Sequence, residues 1–243
     1  MNQDGGMRKL KAAIVASAVL GLAFTLGACA TTPTATPDEG TVQTPDPSDV
    51  TDPQMGAAWL DGGKYIALVT YGSSSCVPVA DTVTLEGDTI SVEFVKEPAD
   101  QMCTADFAPR ATVFAAPEGT DPTTDVTIVA AGFEGEATLA GLREAPAEVP
   151  EGSPSAGWFD SSGGFVVLTW GSSSCPPVVD SVEATGDADV AIIFATPDPA
   201  QACTRDMAPR ATIAYVDGLS SQVDITLLLT GDNITGTTVI LGS

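Results

Sequence analysis

Gly72-Ser73-Ser74-Ser75-Cys76-Val77-Pro78-Val79 returns as Gly171-Ser172-Ser173-Ser174-Cys175-Pro176-Pro177-Val178. Each copy is answered downstream by a second phrase. The first answer is Cys103-Thr104-Ala105-Asp106-Phe107-Ala108-Pro109-Arg110-Ala111-Thr112, and the second is Cys203-Thr204-Arg205-Asp206-Met207-Ala208-Pro209-Arg210-Ala211-Thr212. The chain therefore holds one module written twice. The first cysteines stand 99 residues apart (76 to 175) and the second 100 apart (103 to 203), so one residue is inserted between them, near Asp189. This period is too long for a solenoid array and fits tandem domains. Modules of about 85–90 residues have small cores, which a cross-link would support.

Outward from these phrases the pattern is that of strands. Tyr65 to Tyr71 and Phe165 to Trp170 are short runs rich in β-branched and aromatic residues, which favours strand over helix. Val83 and Leu85 alternate with polar residues, Gly87-Asp88 supplies a turn, and Ile90, Val92 and Phe94 alternate again. That is a half-buried hairpin of period two. The second module repeats it with Val182 and Ala184, a turn at Gly186-Asp187, then Val190, Ile192 and Phe194. Pro109 and Pro209 open the next strand. Val126, Ile128 and Ala130, matched by Ile225, Leu227 and Leu229, mark a fifth. A sixth runs near Ala137 to Leu142 and Thr237 to Leu241. Trp59 and Trp158, which open the modules, read as core or lid residues. The expected fold is all-β: two tandem small antiparallel β-sandwich or barrel-like domains, each with one disulfide. The expected boundaries are a leader at 1–28, a tether at 29–56, module 1 at 57–143, a linker at 144–154 and module 2 at 155–243.

Five cysteines read as one plus two pairs. Cys76 with Cys103 and Cys175 with Cys203 are the expected bridges. Each would stabilise its module by roughly 3–4 kcal/mol on loop-entropy grounds. No C-x-x-C spacing suggests redox chemistry. The chain of 243 residues contains no histidine and carries a formal charge of −23. Removing the leader, with Arg8, Lys9, Lys11 and Asp4, leaves 6 of 9 basic and 31 of 32 acidic residues, a net of −25. Such a surface repels nucleic acid, so a nucleic-acid partner is rejected. Absence of histidine removes Ser-His-Asp machinery and the usual zinc sites. No acidic turn matches a recognised calcium loop, and neither a cofactor nor a metal is expected.

The N-terminus places Met7-Arg8-Lys9-Leu10-Lys11 before an apolar run from Ala12 to Ala28, ending in Leu26-Gly27-Ala28-Cys29. This resembles the lipobox of bacterial lipoproteins. The resemblance implies that Cys29 receives a diacylglyceryl group and becomes the mature N-terminus, with the membrane as partner through that palmitate-type anchor. It also implies residence on the outer face of the cytoplasmic membrane or the cell surface. Ala30 to Gly56, rich in Thr, Pro and Asp, cannot bury a core and reads as a disordered tether. The duplicated motif resembles actinobacterial surface lipoproteins; that resemblance implies no activity and no functional residues.

Candidate binding residues are Ser73, Ser74, Ser75 and Arg110, repeated as Ser172, Ser173, Ser174 and Arg210. Gly-Ser-Ser-Ser-Cys is not the G-x-S-x-G elbow, because cysteine replaces the last glycine and no histidine can act as base. Small hydroxyl residues suit a tight loop on their own account. The arginines are expected to pair with Asp106 or Asp81 and with Asp206 or Asp180; the alternative is an anion clamp for a ligand carboxylate. No catalytic residue is assigned. The expectation is a non-catalytic binding or interaction protein with an envelope or extracellular partner. The alternatives are a protease inhibitor presenting the Ser-Cys loop, a passive envelope spacer, or a hydrolase pairing Ser73 to Ser75 with Lys64.

Overall fold

Residues with alternating apolar side chains over five to eight positions can bury one or both faces only by pairing into sheets. The computed structural model describes residues 54–145, 148–216, 218 and 224–242, and there the chain is all-β. The leader, Cys29 and nearly all of the Thr/Pro/Asp-rich segment lie outside the described residues.

The first repeat contains β1 (Gly56–Leu60), β2 (Tyr65–Gly72), β3 (Ala80–Glu86), β4 (Thr89–Phe94), β5 (Ala108–Ala115), β6 (Val126–Ala130) and β7 (Ala137–Leu139). The second contains β8 (Ser155–Trp158), β9 (Gly164–Gly171), β10 (Val179–Ala184), β11 (Asp189–Phe194), β12 (Ala208–Tyr215), β13 (Thr226–Thr230) and β14 (Gly236–Leu241). The strands carrying Trp59 and Trp158, β1 and β8, are additions to the expected six per repeat.

In the first repeat an inner sheet, β1-β2-β5, faces an outer sheet, β3-β4-β6-β7. The second repeats both, but β14 also pairs with β8, so its strands run continuously as β10-β11-β13-β14-β8-β9-β12. Expected as antiparallel, the sheets are mixed: the ladders β4–β6, β11–β13 and β14–β8 are parallel. For β4–β6 and β11–β13 the cause is a crossover. The chain leaves the outer sheet after β4, crosses to the inner sheet as β5, and returns as β6 in the original direction. Proline is tolerated at positions 109 and 209 because β5 and β12 are edge strands.

Three apolar layers stack between four tiers of strands, two of which belong to the one continuous seven-stranded sheet. Trp59, Ile66 and Leu68 meet Ile90, Val92 and Ile128 inside the first repeat. Trp158, Phe165 and Val167 meet Val190, Ile192 and Leu227 inside the second. The intervening residues on the same inner strands, Ala58, Leu60, Ala67 and Val69, pack against Phe159, Val166 and Leu168. Both faces of each inner sheet are thus buried, and this accounts for the unbroken apolar runs Ile66–Val69 and Phe165–Leu168. The two repeats lie back to back over that middle layer.

Close backbone approach sets the junction. A Cβ on Gly157 would stand 2.2 Å from the Trp59 carbonyl oxygen, so only glycine lets β1 and β8 cross there. Next to it, the Asp61 backbone N–H donates to Ser155 Oγ at 2.8 Å. Asp61 is buried at this seam, and desolvation pushes its carboxyl above the usual carboxylate range despite Lys64 at 4.0 Å. Tyr65 of one repeat meets Trp170 of the other edge-on at 5.5 Å.

Candidate functional site

The Ser-rich loop begins where β2 ends. Its turn is closed by the Cys76 N–H donating to the Ser73 carbonyl at 3.2 Å, and by Cys175 donating to Ser172 at 3.3 Å in the second copy. The disulfides Cys76–Cys103 and Cys175–Cys203 then staple each loop to the segment preceding β5 or β12, with Cα atoms 5.6 Å apart in both.

Across each staple lies a threonine on which the hydroxyls converge. Thr104 Oγ1 stands 2.8 Å from Ser73 Oγ, 3.2 Å from Ser75 Oγ and 3.5 Å from Ser74 Oγ. Its hydroxyl donates to Asp106 Oδ1, and its backbone N–H donates to Ser75 Oγ at 2.9 Å. Asp106 also accepts from the Ser74 N–H at 3.2 Å. The second copy repeats this with Thr204 at 2.8, 3.2 and 3.4 Å from Ser172, Ser174 and Ser173, and with the Ser173 N–H donating to Asp206 at 3.2 Å. Hydrogen bonds from Ser74 and then Thr104 hold the Asp106 carboxyl down at about 2; Ser173 and then Thr204 do the same for Asp206.

A carboxylate held that low is a poor proton acceptor for a serine at neutral pH. Lys64 offers no substitute. It precedes β2 while Ser73 follows it, and eight extended residues at about 3.3 Å each separate them by roughly 26 Å. The Lys64 ammonium instead reaches Asp61 and the Val149 carbonyl.

The arginines stand beside the loops, as their spacing suggested, but their partners differ from those expected. Arg110 Nη1 donates to the carbonyls of Cys76 at 2.6 Å and Ser73 at 3.4 Å, and Nη2 to that of Tyr71 at 3.5 Å. Arg210 donates to the Cys175 carbonyl at 3.0 Å and the Trp170 carbonyl at 3.2 Å. No carboxylate among the described residues forms a salt bridge with either one. Asp106 and Asp206 are engaged by the loop N–H groups, while Asp81 and Asp180 are exposed. The loop turns its carbonyls inward, and a planar five-donor cation collects them. Each guanidinium lies over a glycine: a Cβ on Gly72 or Gly171 would fall 2.8 or 2.7 Å from the arginine Cζ. This explains the glycine that opens both loop motifs.

The structure thus gathers all of Ser73, Ser74, Ser75 and Arg110 around one staple, and Ser172, Ser173, Ser174 and Arg210 around the other. Sequence reading missed Thr104 and Thr204 as the centres of the two clusters. The signal was their recurrence directly after the second cysteine of each pair. Among the described residues no three potential metal ligands cluster. Comparison with protein-family models, curated proteins and solved structures finds no match to this chain.

Proposed function

We propose that this protein is a non-catalytic binding protein, held at the outer face of the cytoplasmic membrane by a lipid on Cys29. The observation that carries the binding reading is the display of apolar side chains beside each stapled loop. Val79 and Val178 occupy the same place after the first cysteine and are 62% and 65% exposed; Phe107 and Met207 match before the strand and are 68% and 73% exposed. Exposed apolar groups at corresponding positions of two rigid loops are suited to contact with a partner. Loops already fixed by a disulfide and internal hydrogen bonds lose little entropy on binding. The disulfides accord with an oxidising, extracytoplasmic compartment. The hydroxyls, engaged with one another and facing a weakly basic carboxylate, favour presentation over nucleophilic attack.

Capture of partners by the tethered protein from its own envelope tests the binding half. Phe107→Ser with Met207→Ser should abolish capture while lowering the melting temperature by no more than the few degrees that loss of the Phe107 ring stack on Tyr71 accounts for; undiminished capture by the double variant refutes the loop-face reading. For the anchor, Cys29→Ala should lose acyl labelling and release the protein from membranes. Continued acylation of that variant would refute the lipobox assignment.

A further inference from the structure

Beneath the second staple lies a cleft of about 330 Å³ whose wall includes Trp170, Gln201, Arg210, Asp232 and Asn233. Two opposite charges line it without neutralising each other. Arg210 uses two of its five N–H groups, both on carbonyl oxygens. Asp232 forms no ion pair among the described residues, so its carboxylate stands beyond the 4.0 Å reach of the guanidinium. Arg210 Nε and Trp170 Nε1 have no acceptor among the described residues, but both atoms are closed off from the cleft, and Arg110 Nε in the first repeat is equally unpartnered. A half-buried cation without a counter-ion is costly.

We propose that this cleft binds a small zwitterion, an apolar α-amino acid, with its carboxylate toward Arg210 and its ammonium toward Asp232. The ligand must carry both charges for two reasons. A bare anion is repelled by a chain of formal charge −23, and a bare cation leaves the arginine uncompensated. A zwitterion is neutral at a distance and complementary at contact. Pro176, Pro197 and Ile234 complete the wall and offer an apolar surface to the side chain. The volume lies within the range of small-molecule sites.

The duplication supplies an internal comparison. In the first repeat Tyr71 replaces Trp170. Phe133 follows Gly132 where Asp232 follows Gly231, and it packs on Phe94 at 5.6 Å. Arg110 also gains a third carbonyl, that of Ser73. The zwitterion site therefore belongs to the second repeat alone.

This inference rests on the binding reading above but assigns a different surface, so the two fail separately. The test is titration of the full chain with L-leucine, N-acetyl-L-leucine and L-leucinamide. The readout is the Trp170 indole N–H resonance, assigned by its loss in Trp170→Phe. L-Leucine should shift that resonance saturably and leave those of Trp59 and Trp158 in place. Each blocked analogue should bind at least about tenfold more weakly, the scale of one lost charge-assisted contact. Asp232→Asn preserves the left-handed turn at that residue (φ +47°). In that variant L-leucine should fall to the affinity of N-acetyl-L-leucine. No shift with L-leucine at about 10 mM, a weak affinity by any small-ligand standard, overturns the proposal. So does N-acetyl-L-leucine binding as tightly as L-leucine, because the acid would then have no role. If L-leucine fails while envelope partners are still captured, only the zwitterion site is lost.

Discussion

Leu168→Ala tests whether the middle apolar layer makes the two repeats one cooperative body. Leu168 is fully buried and faces small residues of the other repeat, Ala58 and Ala67 among them. Removing three carbons forfeits about 2.4 kcal/mol of transfer free energy at about 0.8 kcal/mol per buried methylene. Two β-sheets cannot close over the void, so a cavity cost raises the total to about 3–4 kcal/mol, within the span measured for buried leucines. For a folded body of this size each kcal/mol lowers the melting temperature by about 2–4 °C, giving a drop of roughly 6–16 °C. Calorimetry should show one transition moving as a whole. Hydrogen exchange should show protection falling in β4 and β6 of the first repeat as well as in β11 and β13 of the second. Two separable transitions, with only the second repeat affected, would refute the shared-layer account.

Arg110→Ala leaves the carbonyls of Tyr71, Ser73 and Cys76 without their donor and should cost about 2–3 kcal/mol in urea denaturation. Arg110→Lys restores charge without the planar fork and should recover less than half of that loss; full recovery would show that charge, not geometry, matters. Acid stability follows from Asp106 and Asp206. Their carboxyls titrate near the ordinary value of 3.8 when unfolded and at about 2 when folded. Between those values the unfolded chain takes up protons that the native state refuses, so their contribution is complete above about pH 4 and fades toward pH 2. Melting curves of the Asp106→Asn, Asp206→Asn double variant should therefore be flatter over that interval than those of the parent. Gly157→Ala forces a methyl onto the Trp59 carbonyl and should destabilise the fold by about 1–3 kcal/mol through overpacking, measured by the same denaturation.

Much of this architecture can be read from residues alone. The repeated cysteines point to the staples, because each copy carries a pair of its own that can close within the module. Alternation at Val83–Phe94 and Val126–Ala130 marks the outer sheets, which bury one face and so carry a clean period of two. The strands β1 and β8 are hidden for the opposite reason. Gly-Ala-Ala-Trp-Leu and Ser-Ala-Gly-Trp-Phe bury both faces and need small residues where backbones cross, so neither alternation nor β-branching marks them. The runs Ile66–Val69 and Phe165–Leu168 did carry a legible message: apolar side chains on successive positions imply cover on both faces. The partners of Arg110 and Arg210 were beyond reach. A carbonyl has no sequence signature, and only the folded path of the Ser-rich loop turns several of them toward one point.

The placement of the staples bears on how the chain reaches its native pairing. Each disulfide encloses a single hairpin, β3–β4 or β10–β11, with one cysteine four positions before it (Cys76 to Ala80, Cys175 to Val179) and the other nine after it (Phe94 to Cys103, Phe194 to Cys203). A hairpin forms within microseconds from neighbouring residues, whereas thiol oxidation takes seconds or longer. The two sulfurs of a pair are thus brought into range before any bond is made. The four cysteines of the repeats admit three pairings, and the two alternatives join sulfurs between 72 (103 to 175) and 127 (76 to 203) residues apart whose near partners are already waiting. On the proposed route of export, with Cys29 acylated, the first repeat would emerge before the second, and Cys76 would meet Cys103 with no competitor. The duplication can therefore double the thiols without doubling the hazard of scrambling, and such a chain should oxidise correctly with little help from an isomerase.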